Sequence, residues 1–136
     1  MAKRYFTLLE AQSLVPWLNN AFGSIRNYLS ENQVFKTLLE KQVNKLRSNG
    51  NSKTEENVRR MENESTNVKK DIDKILTEIN DEGILIKRID TALVDFPYLL
   101  EDGKEIYLCW MHGEQEIEFW HEIKTGFPGR RPINEL

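Results

Sequence analysis

The sequence predicts an α+β protein: a long, coiled-coil-like antiparallel helical hairpin, a short helix before it, and a small antiparallel β-sheet at its base. Three observations predict this. Two stretches carry apolar residues in alternating steps of three and four, the spacing of one helical face. A Ser/Thr-x-x-Glu box introduces each helical region, and a short polar break, Ser48-Asn49-Gly50-Asn51, divides them. Beyond the helices, residues 93–133 hold both histidines, the only cysteine and two of the three tryptophans.

At 136 residues the chain suits one domain, with the hairpin over about 17–82 and the strand module over about 84–133. Charged residues make up 30% of it, which is ordinary for a globule that carries a long solvated hairpin.

In Thr7-Leu8-Leu9-Glu10 the hydroxyl can accept from the Glu10 amide while the Glu10 carboxylate reaches back, so a helix starts at Leu8. Pro16 lacks an amide donor. The first segment is therefore expected over Leu8–Val15, with a kink or fresh start near Pro16–Trp17. From Leu18 a heptad seam follows: Leu18, Phe22, Ile25, Leu29, Asn32, Lys36, Leu39, Val43 and Leu46, with Phe35 and Leu38 beside it.

Ser52-Lys53-Thr54-Glu55 is the second capping box. Val58, Met61, Ser65, Val68, Ile72, Ile75 and Ile79 then form one face, and Gly83 closes the helix. A short turn makes the helices antiparallel. With Gly50 near the apex, Val43 faces Met61, Lys36 faces Val68, Asn32 faces Ile72 and Leu29 faces Ile75.

Ile84–Ile89 is β-rich. Leu93–Pro97 reads as a short strand that ends at the proline, and Asp102-Gly103 as a turn. Glu105–Met111 and Gln115–Ile123 read as two strands around His112-Gly113. A two-residue loop pairs Leu108 with Ile117 and Ile106 with Phe119, and puts Trp110 and His121 on their face. Tyr107, Cys109, Glu116, Glu118 and Trp120 then share the other face. A three-residue loop regroups both faces, and the sequence leaves that choice open. The end, from Gly126 to Pro132, is turn-rich.

The net charge is −3, unevenly spread. Phe35–Glu82 holds ten basic and ten acidic residues, whereas Leu93–Phe127 holds eight acidic residues against Lys104 and Lys124. So acidic a module disfavours a nucleic-acid backbone as partner. The apolar runs are too short and too charged to span a membrane. Glu10 and Gln12 interrupt the N-terminal run a signal peptide needs. A single cysteine fits a reducing cytoplasm.

The chain carries Asp95-Phe96-Pro97, Cys109-Trp110, Gly113-Glu114, Trp120-His121 and Gly126-Phe127 with Gly129-Arg130. Its opening has Phe6-Thr7, Glu10-Ala11 and Leu14-Val15-Pro16. On these motifs, which span essentially its whole length, it resembles a prokaryotic family catalogued as domain of unknown function 2203. The resemblance implies a fold and no activity.

The residues with the most chemistry are Asp95, Trp110, Trp120, His121 and Arg130. His121 has the chemistry of a proton shuttle or a metal ligand. Its competing use is as a hydrogen-bonded histidine that closes the sheet, with Phe119, Ile123 and Lys104 for company. Arg130 suits a carboxylate or phosphate, and its competing use is an internal pair to Asp95 or Glu114. Trp110 and Trp120 serve as core or as the walls of a cleft. Zinc is disfavoured, because its sites want tight local spacing and strand parity separates Cys109 from His112. Cys109 reads as a packed residue, since an acidic setting raises a thiol pKa.

Two functions stay open. One is a non-enzymatic interaction or scaffolding protein that acts as a homodimer, or on a protein partner, through its hairpin. The other is a small-molecule or metal-ion-binding protein, with or without a reaction, whose site involves Asp95, His121 and Arg130 where sheet meets helix. No metal or cofactor is expected from the spacing.

Overall fold

The structure is a computed structural model that describes residues 3–49 and 52–136. The order is α1 (Leu8–Asn49), α2 (Ser52–Asp81), β1 (Leu85–Arg88), β2 (Leu93–Leu99), β3 (Glu105–Met111), β4 (Phe119–Glu122) and β5 (Arg131–Pro132). The strands form one antiparallel sheet in the order β1-β2-β3-β4-β5. The chain divides into two compact units, residues 1–22 with 77–136, and residues 23–76. Among the described residues no helix is long and apolar enough to cross a membrane.

Thr7 and Glu10 make the expected capping box in full. Thr7 Oγ1 accepts from the Glu10 amide at 3.1 Å, and Glu10 Oε1 accepts from the Thr7 amide at 3.3 Å. The fresh start near Pro16 is not found: α1 is one long, bent helix with Pro16 inside it. A proline within a helix costs ~3 kcal/mol. Ala11 and Val15 before it, and Leu18 and Phe22 after it, are all buried, which offsets that cost. Pro16 itself is exposed.

In the first unit, one face of the sheet packs on α1. Phe22 lies against Trp110 and Phe6 meets Phe96 edge-on. Val94, Phe96, Ile106, Leu108 and Trp110 on that face are all fully buried. At the end of α2, Gly83 takes φ 92 and donates to Asn80 O, as a closing glycine does.

β2 does not end at Pro97 but runs through it to Leu99. β1 pairs only with residues 93–95 of β2, so beyond Asp95 that side of β2 lacks a strand neighbour. The Pro97 carbonyl points to that side and accepts from the Phe6 amide at 2.8 Å. The missing N–H therefore falls where no ladder bond is needed.

β3 has the expected bounds, and its register with β4, which the sequence left open, is not the two-residue-loop pairing. Tyr107 pairs with His121, Leu108 with Trp120 and Cys109 with Phe119. The shift is odd, so the faces regroup. His121 joins Tyr107 and Cys109, and Trp120 joins Leu108 and Trp110. Residues 112–118 lie outside any strand. There Gln12 of α1 replaces a strand partner: its amide donates to Ile117 O at 2.9 Å and accepts from Ile117 N at 2.7 Å. Ile117 is thereby buried outside the ladder.

In the second unit, Ser65 Oγ donates to Asn32 Oδ1 at 2.5 Å. Asn32 thus faces Ser65, not Ile72, one heptad away. Ile25, Val58 and Val68 are buried, whereas Leu29 and Leu38 are exposed. Of the expected turn, residues 50 and 51 lie outside the described residues. So do the side chains of Phe35, Leu46 and Ser52.

Candidate functional site

The second face of the sheet carries ionisable side chains. Alternation along the strands places Asp95 of β2, Cys109 of β3 and His121 of β4 together there. Asp95 and Cys109 are direct cross-strand partners, and His121 lies one step diagonally from Cys109. Their ligand-type atoms all lie within 4.8 Å of one another. All three are buried: Cys109 at 0%, Asp95 at 2% and His121 at 3% exposure.

His121 is held at both ring nitrogens. Nε2 is 3.0 Å from Asp95 Oδ1, and Nδ1 is 2.8 Å from the Glu122 carbonyl oxygen. That carbonyl can only accept, so Nδ1 carries a proton. Burial alone would lower the pKa of His121. The Asp95 carboxylate, the Cys109 side chain and the Glu122 carbonyl outweigh it and raise the value from 6.5 to about 10. The ring is thus held toward its protonated, imidazolium form. The Tyr107 ring packs edge-on to the imidazole at 5.7 Å.

Asp95 and His121 reach a cavity of about 190 Å3, walled by Lys87, Leu93, Tyr107, Ile123, Gly126 and Phe127. The Lys87 ammonium lies 5.1 Å from the centre of the Tyr107 ring. A second cleft of about 300 Å3 shares Leu93 and Phe127 with it. The wall made by Phe127 depends on two glycines. Gly126 takes φ 61, and a Cβ on Gly129 would come within 2.4 Å of Thr125.

Of the residues singled out from sequence, Asp95 and His121 pair here, and Arg130 reaches the Cys109 carbonyl at 3.3 Å. Trp110 and Trp120 lie on the opposite face and give their indole N–H groups to Glu114 O at 2.9 Å and Pro132 O at 3.1 Å. Arg130 pairs with Glu114, not Asp95. Its Nη2 donates to both carboxylate oxygens, at 2.8 and 3.0 Å. The guanidinium lies 4.2 Å from the centre of the Phe119 ring and 4.8 Å from that of Phe127. Lys104 meets Glu122, not His121, at 2.7 Å. Cys109 is the member that sequence reasoning set aside. Strand parity separates it from His112, and the histidine it meets is His121.

Both nitrogens of His121 are engaged, Nε2 with Asp95 and Nδ1 with the Glu122 carbonyl, and the Cys109 side chain is a further partner of the ring.

The model of an uncharacterized conserved protein family, DUF2203, matches residues 4–133. No curated protein and no solved structure matches the chain.

Proposed function

For a chain that belongs to this family of uncharacterised conserved proteins, we propose a small-molecule or ion-binding function, with the site on the sheet face that carries Asp95 and His121. The observation that carries it is the buried Asp95–His121 pair at the floor of a cavity. Buried ion pairs contribute little net stability, and apolar replacements often do as well. A buried histidine with a raised pKa that opens onto a cleft marks a candidate site. Arg130 serves as the clamp that holds the Phe127 wall.

The test follows the His121 imidazole resonances by NMR while a library of small anions, carbonyl compounds and metal ions is added. At least one class shifts them, and the shift disappears in Asp95→Asn protein that still folds. If no compound moves them, the reading is wrong.

A second reading concerns residues 23–76. Leu29, Val34 and Leu38 of α1 are exposed, and exposed apolar patches tend to find partners. The heptad seams and the Asn32–Ser65 bond favour a coiled-coil-like hairpin that joins a second copy. Light scattering then gives twice 16.0 kDa, and Leu38→Glu restores the single chain. A single chain in both proteins sinks it. The lone, unpaired Cys109 suits a reducing cytoplasm.

A further inference from the structure

We propose that Asp95, Cys109 and His121 form a site for a borderline-soft divalent cation of the zinc class, with a fourth position open to the cavity. The inference rests on the preceding reading of this face as a binding site and names its ligand.

Four observations converge. The donors are a carboxylate, a thiol and an imidazole, a mixed set that suits zinc better than calcium or magnesium. They come from three adjacent strands, so the sheet fixes their spacing. His121 Nδ1 donates to the Glu122 carbonyl at 2.8 Å, which orients the ring and aims Nε2 at Asp95. Metal-bound histidines almost always have such an outer bond. Finally, the donor atoms already lie within 4.8 Å of one another. Metal–ligand bonds of about 2.0–2.3 Å put tetrahedral donors at most about 4 Å apart. The side chains therefore need only a modest contraction.

The cation replaces the proton on Nε2 and the proton on the thiol, and both pass to solvent. Carboxylate and thiolate together then balance its two charges. Cys109 is fully buried and Asp95 and His121 line the cavity, so the fourth ligand enters from the cavity side. Lys87 stands at that wall and suits an anionic or carbonyl-bearing fourth ligand.

Cys109 is the only cysteine of the chain, so a thiolate–metal band can report on nothing else. Protein stripped with chelator is titrated with Co2+, both folded and during refolding from guanidinium, so that slow entry is not mistaken for the lack of a site. The expected result is a thiolate-to-cobalt charge-transfer band with tetrahedral d–d bands, saturating at one ion per chain and lost on adding Zn2+. Cys109→Ser abolishes the charge-transfer band. Asp95→Asn weakens Co2+ binding more than about 10-fold, the lower end of the loss for mere outer-shell changes. Circular dichroism checks that both variants fold. The absence of a thiolate band under both loading conditions overturns the proposal. If small anions still shift the His121 resonances in that case, the binding site stands and only its metal falls. If nothing shifts them, both readings fall.

Discussion

On one face of β2, β3 and β4 lie Val94, Phe96, Ile106, Leu108, Trp110 and Trp120; on the other lie Asp95, Tyr107, Cys109 and His121, and both sets are buried. The first face is hydrocarbon and indole, packed on Phe6 and Phe22. The second contains a hydrogen-bonded aspartate–histidine pair and a thiol. Burial alone therefore does not say what a face is for. Removing apolar surface from water stabilises the fold directly. Removing charge from water costs free energy that the pairing only partly returns. The second face therefore gains less stability from its burial than the first.

The sharpest way to break the comparison is to truncate one residue on each side. Trp110→Ala should cost about 3–5 kcal/mol, the range for large aromatics in a core. Urea unfolding measures it, and a loss under 1 kcal/mol means that the first face is not the core. Asp95→Ala should cost about 3 kcal/mol, because it leaves a buried cation unpaired. Asp95→Val with His121→Leu should be near neutral or stabilising. If the double variant is instead less stable than either single one, the second face serves the fold, and the contrast fails.

A smaller effect comes from pH. The folded state raises the pKa of His121 from 6.5 to about 10, so it favours the protonated form. This contribution is fully present below pH 6.5 and is lost as pH rises through about 10. In chelator-treated protein, stability should fall across that window by at most about 1.4 kcal/mol per pH unit. Asp95→Asn should flatten the decline. A decline that is equally steep in the variant assigns it to other groups.

The smallest effect expected is that of Arg130→Lys. Lysine keeps the charge opposite Glu114 but loses the flat stack between Phe119 and Phe127. About 1 kcal/mol is expected from thermal melts. A Tm unchanged from the parent would mean that the stack contributes nothing.

The local signals were legible in the sequence. Thr7 and Glu10 mark the start of α1 because a capping box is a four-residue device. The span of β3 and the turn at Asp102-Gly103 also depend on near neighbours, and the Lys104 amide does donate to Asp102. What was not legible depends on partners far along the chain. Pro16 sits in a continuous helix because a core on one side of it outweighs a local penalty. Pro97 sits in a strand because its free edge meets Phe6. Gln12 holds Ile117 outside the β3–β4 ladder, and the register of that ladder decides which residues share a face with His121. An open register is thus an open question of chemistry: the two-residue-loop pairing puts Trp110 beside His121 and separates it from Cys109, and the observed register does the reverse.

The hold of Gln12 on Ile117 also bears on the order of folding. The two residues are 105 positions apart. During synthesis the start of α1 leaves the ribosome early and waits for its partner until most of the chain has followed. The helices of residues 23–76 can form from short-range contacts in that interval. The β3–β4 edge cannot close, because one of its fastenings belongs to the first helix and the other to the last strands. Contacts of such long sequence separation slow folding. Closing of the cavity face through Gln12 therefore requires the chain to extend at least to residue 117.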